Sequence, residues 1–481
     1  MPDTATFNRA AHVLRRVTED TPADAALRAE LAANRRLRPD ERRAVTRAVF
    51  AYYRWRQWLD PRESLQNQVA AAVAWQTRFD KNPASIKPEA LAERAVPAWL
   101  REEFAPSADY LRQLQREPAL WLRTRTGRTA AVARALGDCA APPAAALLLS
   151  FGFRVWGPEP KTQNAEPKTP PALRSLGEAG NPKNKAAILA ALRYAGSRDL
   201  FRTEAFQTGL FEIQDLASQL VGHACAPQPG ETWWDACAGD GGKTLHLADL
   251  MRNKGLVWAT DRSVRRLSLL QRRAARAQVF NYRSAAWDGS ARLPTKTRFD
   301  GILVDAPCSG VGTWQRNPHA RWTTTPNDVR ELAAIQRTLL ESVAPALKPG
   351  GRLLYAVCTL TRSETTDIAS AFTAAHPEFE PSPVFAGAGI ACREPACREL
   401  VEPVEPADPG PGPQLSALPS GLSAPQALSP SLPQFLSRSL PHSLSPSLPH
   451  SPIPSFPSSA LVLLPHELDA NGMFLAAWKK R

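Results

Sequence analysis

The sequence predicts an α/β fold, a domain built on a mostly parallel sheet, preceded by an all-α region. Three observations carry this expectation. From Thr232 onward, apolar strand-like runs alternate with amphipathic stretches of helical length, the pattern that builds a parallel sheet. Before about residue 130, apolar residues recur instead at helical spacing, as at Val45, Val49 and Tyr52. Two cysteines, Cys308 and Cys358, each follow an apolar run, Gly301–Val304 and Arg352–Val357, and reactive sites of open α/β sheets lie at the carboxyl ends of the strands. One such cysteine reads as a small core hydrophobe; two at strand ends point to covalent chemistry.

In the first region, residues 1–130, Thr21-Pro22 with Asp24 offers a helix start: a capping hydroxyl, a proline in the first turn and an acid near the positive end. Arg42, Arg43, Arg47 and Arg54 supply charge around the apolar positions, which suits a solvated face and an RNA-contacting face equally. Residues 131–208 are expected to form a linker or small subdomain. Its stretch 157–187, with Pro-Glu-Pro-Lys-Thr-Gln-Asn and Pro-Lys-Thr-Pro-Pro, carries too little apolar surface to offset chain ordering. Residues 209–481 form the α/β domain, interrupted over about 386–459 by a Pro/Ser/Leu-rich insertion in which Leu428–Pro433 recurs as Leu444–Pro449.

Within that domain the strand Thr232–Asp235 runs into a bend of small residues, Cys237, Ala238, Gly239, Asp240, Gly241 and Gly242, followed by Lys243. Small residues there let backbone approach a nucleotide cofactor closely. The next strand ends in Asp261, about 20 residues further on, where a carboxylate accepts from ribose hydroxyls. This much fits NAD and S-adenosylmethionine alike. Asp288 stands where a third strand should end, either as a loop aspartate or as an acceptor for an exocyclic amino group such as that of adenine. Between them, the stretch Ser263 to Val279 carries Arg265, Arg266, Arg272, Arg273 and Arg276, read as a solvated face. The last strand is expected around Leu461–Pro465, antiparallel to the rest.

Lys and Arg number 59 against 46 Asp and Glu, a net charge of +13, so a polyanion such as nucleic acid is the expected partner. Seven cysteines without regular spacing argue against a disulfide framework and against a structural metal site. No run approaches the roughly 20 apolar residues of a membrane helix, and residues 1–17 carry charges throughout, so neither a membrane nor a signal peptide is expected. A cytoplasmic monomer is the expected form.

Together, Gln214-Asp215, the loop Asp235 to Thr244, Asp305-Ala-Pro-Cys308-Ser-Gly310, Tyr355 to Leu360, Leu463-Leu-Pro-His466 and Asn471-Gly-Met-Phe474 resemble the Sun/Fmu (RsmB-like) family of S-adenosylmethionine-dependent RNA 5-methylcytosine methyltransferases. Arg42 to Asp60, with Tyr53-Arg54-Trp55, is similar to the NusB-like helical domain of that family. The resemblance implies a Rossmann-like class I methyltransferase domain behind a NusB-like one, S-adenosyl-L-methionine as cofactor, no metal, and RNA, foremost small-subunit ribosomal RNA, as substrate.

It also implies roles. Carbon 5 of cytosine is a poor nucleophile, and family logic gives Cys358 the attack on carbon 6 that activates it, with Cys308 assisting loss of the carbon 5 proton and product release. Asp305 is expected against the cytosine ring nitrogen and amino group, and Lys243 supplies positive charge nearby. The loop Cys237–Lys243, with Asp261, Asp288 and Asp305, is expected to hold the cofactor, and Arg316 and Arg321 to contact RNA, with Trp322 either stacking on it or packing in the core. Asp240 stands where the family usually has proline, Val357 where threonine is common and Thr365 where asparagine is. Alternatives kept in view are a transfer RNA substrate, a DNA-type cytosine methyltransferase with Cys308 as nucleophile, and an RNA-binding assembly factor without turnover.

Overall fold

A computed structural model describes residues 4–142, 190–385 and 459–481. The stretches expected as insertions, 157–187 and 386–459, lie outside these residues except for Ser459. Seven helices among the described residues come first: α1 (Thr4–Arg15), α2 (Ala23–Ala33), α3 (Pro39–Trp55), α4 (Leu65–Lys81), α5 (Pro88–Arg94), α6 (Leu100–Glu103) and α7 (Ala108–Gln113). Helix α3 shows why this segment is helical. Pro39 and the acids Asp40 and Glu41 occupy its first turn, and Val45, Ala48, Val49 and Tyr53 line its buried face. Two details differ from expectation. The cap of α2 is Pro22 and no side chain bonds there, so Thr21 is not the capping residue. Arg54 is buried, not part of the surface charge.

A four-stranded antiparallel sheet follows, in the order β2 (Cys139–Ala140), β3 (Ala191–Tyr194), β1 (Leu120–Thr124), β4 (Phe211–Ile213). It begins at Leu120, inside the stretch expected to be helical to about 130. Trp121 and Leu122 are both buried, which a strand flanked by two partners achieves and a surface helix does not.

The second sheet is eight-stranded and runs β10 (Phe379–Pro381), β12 (Met473–Lys480), β9 (Leu347–Val357), β8 (Phe299–Asp305), β5 (Thr232–Asp235), β6 (Leu256–Asp261), β7 (Tyr282–Ala286), with β11 (Ala460–Leu463) paired to β12. Strands β9 through β7 are parallel, and β12 joins β9 antiparallel. This is a Rossmann-like fold with a mostly parallel sheet. The strand that inserts beside β9 is β12; the expected one, near Leu461–Pro465, is β11 and lies off the main path. Central β8 has Phe299, Ile302, Leu303 and Val304 all at 0% exposure, the near-continuous apolar run of a strand covered on both faces. Gly301 lets Trp233 lie flat on it, since a Cβ there would sit 2.2 Å from the indole.

The amino-terminal helices and the second sheet share a core. Trp55, Phe79, Tyr110 and Leu111 pack in one cluster with Val311, Trp314, Ala320 and Leu360, which follow the two cysteines in sequence. No helix among the described residues is long and apolar enough to cross a membrane. No group of His, Cys, Asp and Glu among them is arranged to hold a metal ion.

Candidate active site

Parallel pairing of β8 with β9 sets Asp305 opposite Ala356, so the loops leaving both strands start side by side. Cys308 and Cys358 sit on those loops with their Sγ atoms 3.3 Å apart. Cys308 is buried and Cys358 is partly exposed. The hydrogen bond to Cys358, burial, and the charges of Cys358 and Glu364 all push the Cys308 thiol well above its ordinary value, so it keeps its proton at neutral pH.

The neighbouring loop brings the next two residues in. Gly241 (φ +90°) precedes the helix Gly242–Leu250, whose second residue is Lys243. A Cβ on Gly241 would lie 2.6 Å from Leu270 Cγ, so only glycine keeps this loop tight against the helix Val264–Arg276. Lys243 Nζ then donates to Asp305 Oδ2 at 2.7 Å and to Ser218 Oγ at 3.2 Å. Burial works against the Lys243 charge, but Asp305, with further help from Cys358, outweighs it and holds the ammonium above its ordinary value.

Along the sheet, Gly239 N donates to Asp261 Oδ2 at 2.9 Å and Ser263 N to Asp261 Oδ1 at 2.8 Å. Asp261 therefore holds the loop from below while retaining acceptor capacity toward a ligand. Beyond β7, Asp288 is exposed and lines an open cavity of ≈ 380 Å³ with Arg262, Trp287, Ser290 and Leu293. Asp235 ends β5 fully buried. Its Oδ2 accepts from Thr244 Oγ1 at 2.6 Å, its Oδ1 has no partner, and burial pushes its carboxyl up to about 7.

Some expected roles do not survive the geometry. Arg321 has 0% exposure and donates to the carbonyls of Ala95 and Leu114, each at 2.9 Å, so it cannot reach an RNA phosphate. It is an anchor between the cysteine loop and the amino-terminal helices. Trp322 belongs to the core, its Nε1 donating to Tyr53 O at 2.7 Å. Arg316 is half-exposed but tied to Asp215 Oδ2 at 2.8 Å. The arginines of Val264–Arg276 are not all solvated: Arg273 and Arg276 both pair with the buried Glu212. Arg273 also takes up Asp240, at 2.8 Å, so the carboxylate that replaces a proline points to this network.

Ser218 and Glu364 escaped the sequence reading. Nothing in the sequence marks Ser218, whereas Thr361-Arg-Ser-Glu364 has the spacing of a capping box.

Residues 223–406 match the model of the 16S rRNA methyltransferase RsmB/F family. The chain is 41% identical over 181 residues to the probable ribosomal RNA small subunit methyltransferase B of Bacillus subtilis (strain 168), covering 37% of this chain and 40% of that protein. It is 36% identical over 168 residues to the tRNA (cytosine(72)-C(5))-methyltransferase NSUN6 of Mus musculus, covering 32% of this chain and 35% of that one. The chain spans less than half the length of these curated relatives. The crystal structure of PH0851 shares the fold over 100% of this chain and 99% of its own, with a TM-score of 0.61 at 20% identity. The domain that sets Cys308 against Cys358 is thus similar to the RsmB/F methyltransferases over residues 223–406.

Proposed function

We propose that this chain transfers a methyl group to carbon 5 of a cytidine in RNA, with small-subunit ribosomal RNA as substrate, through a covalent adduct on Cys358. The observation that carries this reading is the thiol pair, 3.3 Å between sulfurs, beside the Lys243–Asp305 ion pair at 2.7 Å.

S-adenosylmethionine, when bound, supplies an electrophilic methyl group. The residues present fit it: a tight loop from Cys237 to Lys243, the Asp261 carboxylate at the next strand end, and a cavity edged by Asp288. Cys358 adds to carbon 6 of the cytosine as thiolate, with the Lys243 ammonium in its field. Asp305, held by Lys243, accepts from the cytosine amino group and orients the base, and the Lys243 ammonium supports the negative charge that builds as the carbon–sulfur bond forms. Cys308 holds its proton at this stage. Once Cys358 is spent as a thioether, the sulfur–sulfur hydrogen bond and the Cys358 charge no longer oppose ionisation of Cys308. Cys308 then loses its proton to solvent more readily, its thiolate takes the carbon 5 proton, and expulsion of the Cys358 thiolate from carbon 6 releases the product. A stacked base cannot reach these groups, so the target cytidine is unpaired or flipped out.

Helices α1–α7 are read as a NusB-like unit that brings RNA to the site, in keeping with the surplus of positive charge. The corresponding divisions are the helices up to Gln113, the small sheet from Leu120 to Ile213 and the α/β domain that follows it. Arg316 is read as the RNA contact at the site edge, moving off Asp215 when substrate arrives. A cytoplasmic monomer, its thiols kept reduced, is the form in which this chemistry runs.

A transfer RNA substrate is the second reading, favoured by the similarity to the mouse tRNA enzyme. Bisulfite sequencing of total RNA from cells lacking this gene, complemented with wild type or Cys358→Ala, decides. One cytidine protected only with wild type identifies substrate and nucleophile together. Unchanged protection at every ribosomal and transfer RNA position would sink the proposal.

A further inference from the structure

The loops that carry the two cysteines converge on one buried carboxylate. Glu364, in the short turn Arg362–Glu364, has 0% exposure. Its Oε1 accepts from Ser309 N at 2.8 Å and from Gln336 Nε2 at 3.0 Å. Its Oε2 accepts from Ser309 Oγ, from Thr361 Oγ1 at 2.7 Å and from Thr359 Oγ1 at 3.2 Å. Ser309 directly follows Cys308 and Thr359 directly follows Cys358, and their hydroxyls lie 2.9 Å apart. Gln336 also donates to the carbonyl of Pro307, on the other side of Cys308, at 2.9 Å. Tyr355, three residues before Cys358 in β9, donates to Glu364 O at 2.7 Å and Gln336 Oε1 at 3.0 Å.

Burying a carboxyl group is costly, and apolar residues of similar volume fill such a place at less expense in stability. Burial pushes the Glu364 carboxyl up, and the donors from Ser309, Thr361 and Gln336 pull against it. What an apolar residue cannot do is fix the chain on both sides of one thiol and after the other to a single rigid group. The clamp reaches further. Ser363 donates to Glu103 of α6 through its N at 2.9 Å and its Oγ at 2.7 Å, which ties the same turn to the amino-terminal helices.

We propose that Glu364 is a positioning residue: by bonding Ser309 on one loop and Thr359 and Thr361 on the other, it sets the separation of Cys308 and Cys358 that the methyl transfer uses. This rests on the roles proposed above for the two thiols. An error of about 1 Å in such a pair costs on the order of 10²-fold in rate, which is the scale of effect expected.

The test uses the full-length protein. Glu364→Ala removes five side-chain hydrogen bonds at once. Glu364→Gln keeps the shape and one oxygen, and two of the three hydroxyls can turn to accept from its amide. Three quantities are read: kcat for methyl transfer, Kd for RNA, and the rate at which a thiol-bridging bimane links Cys308 to Cys358, with Cys308→Ala as background. Glu364→Ala is expected to lose roughly 10²-fold in kcat and to bridge more slowly while its RNA affinity holds. Glu364→Gln is expected to recover most of both. A kcat and bridging rate in Glu364→Ala equal to wild type, or a folded Glu364→Gln as impaired as Glu364→Ala, overturns the proposal. If Glu364→Ala does not fold, Thr361→Val decides, since it deletes one donor and keeps the volume. Slower bridging and a lower kcat uphold the clamp, and wild-type values overturn it. Slower bridging in Glu364→Ala, in a protein whose wild type methylates no RNA, overturns the proposed function but upholds the clamp.

Discussion

The sulfurs of Cys308 and Cys358 are 3.3 Å apart although fifty positions separate them in sequence. Adjacent parallel strands place them there, and their inequality follows from surroundings: Cys308 is buried and Cys358 is partly exposed. Cys358→Ala is expected to abolish both adduct and product. Cys308→Ala is expected to accumulate RNA covalently bound to protein, seen as a slower band on a denaturing gel. An adduct lost only in Cys308→Ala would assign the nucleophile the other way.

Among the described residues, Asp305 and Lys243 form an ion pair beside the two thiols. Asp305→Asn is expected to lower kcat by roughly 10²- to 10³-fold, the scale seen when a preorganised polar contact is removed. Ser218→Ala, which deletes the weaker of the two Lys243 contacts, is expected to cost about tenfold or less. Methyl-transfer kinetics with saturating RNA measure both.

Asp240 pairs with Arg273, which is also held by Glu212, so the cofactor loop is fastened to the small sheet through β4. Asp240→Asn is expected to raise the KM for S-adenosylmethionine a few-fold with kcat little changed. Its effect on stability is expected to be about 1 kcal/mol or less, because Asp240 is more than a third exposed. Steady-state titration of the methyl donor, alongside thermal denaturation, separates the two effects.

Arg321→Ala is a stability variant. It strands the carbonyls of Ala95 and Leu114 and opens a cavity, an expected loss on the order of 3 kcal/mol. RNA affinity below the melting transition is expected to match wild type. A selective loss of RNA binding with unaltered denaturation would return Arg321 to the substrate.

Asp235 gives the protein a pH dependence of known sign. Its carboxyl, at 3.8 in the ordinary case, is held at about 7, so between these values the folded state binds the extra proton. Its contribution is complete below about 4, declines as pH rises, and is lost above about 7. Asp235→Asn is expected to flatten the denaturation midpoint across that window, with a gain of a few kcal/mol at pH 8. A wild-type midpoint that does not fall between pH 4 and 8 relative to this variant would contradict the assignment.

The parts of this site legible in the sequence are those set by strand ends. Apolar runs of strand length mark β5, β6, β8 and β9, and the residues just past them, Asp261, Asp305, Cys308 and Cys358, inherit their places. The sequence did not reveal which of two apolar segments, 460–463 or 473–480, would lie beside β9, because both satisfy the pattern and only pairing decides. It did not reveal the burial of Arg321 either. An arginine is ordinarily exposed, and its partners here are backbone carbonyls supplied by helices about two hundred positions away. Glu364 was hidden for a similar reason: its five donors come from three separate stretches of chain.

Strand β9, which delivers Cys358, is flanked on one side by β8 and on the other by β12, residues far downstream of the cysteine. During synthesis, a nascent chain that has already exposed both thiols still lacks the strand that completes their sheet. Cys358 thus emerges from the ribosome before the strand that completes its sheet. The site is therefore expected to take its final form only once residues through 480 are available to pair with β9.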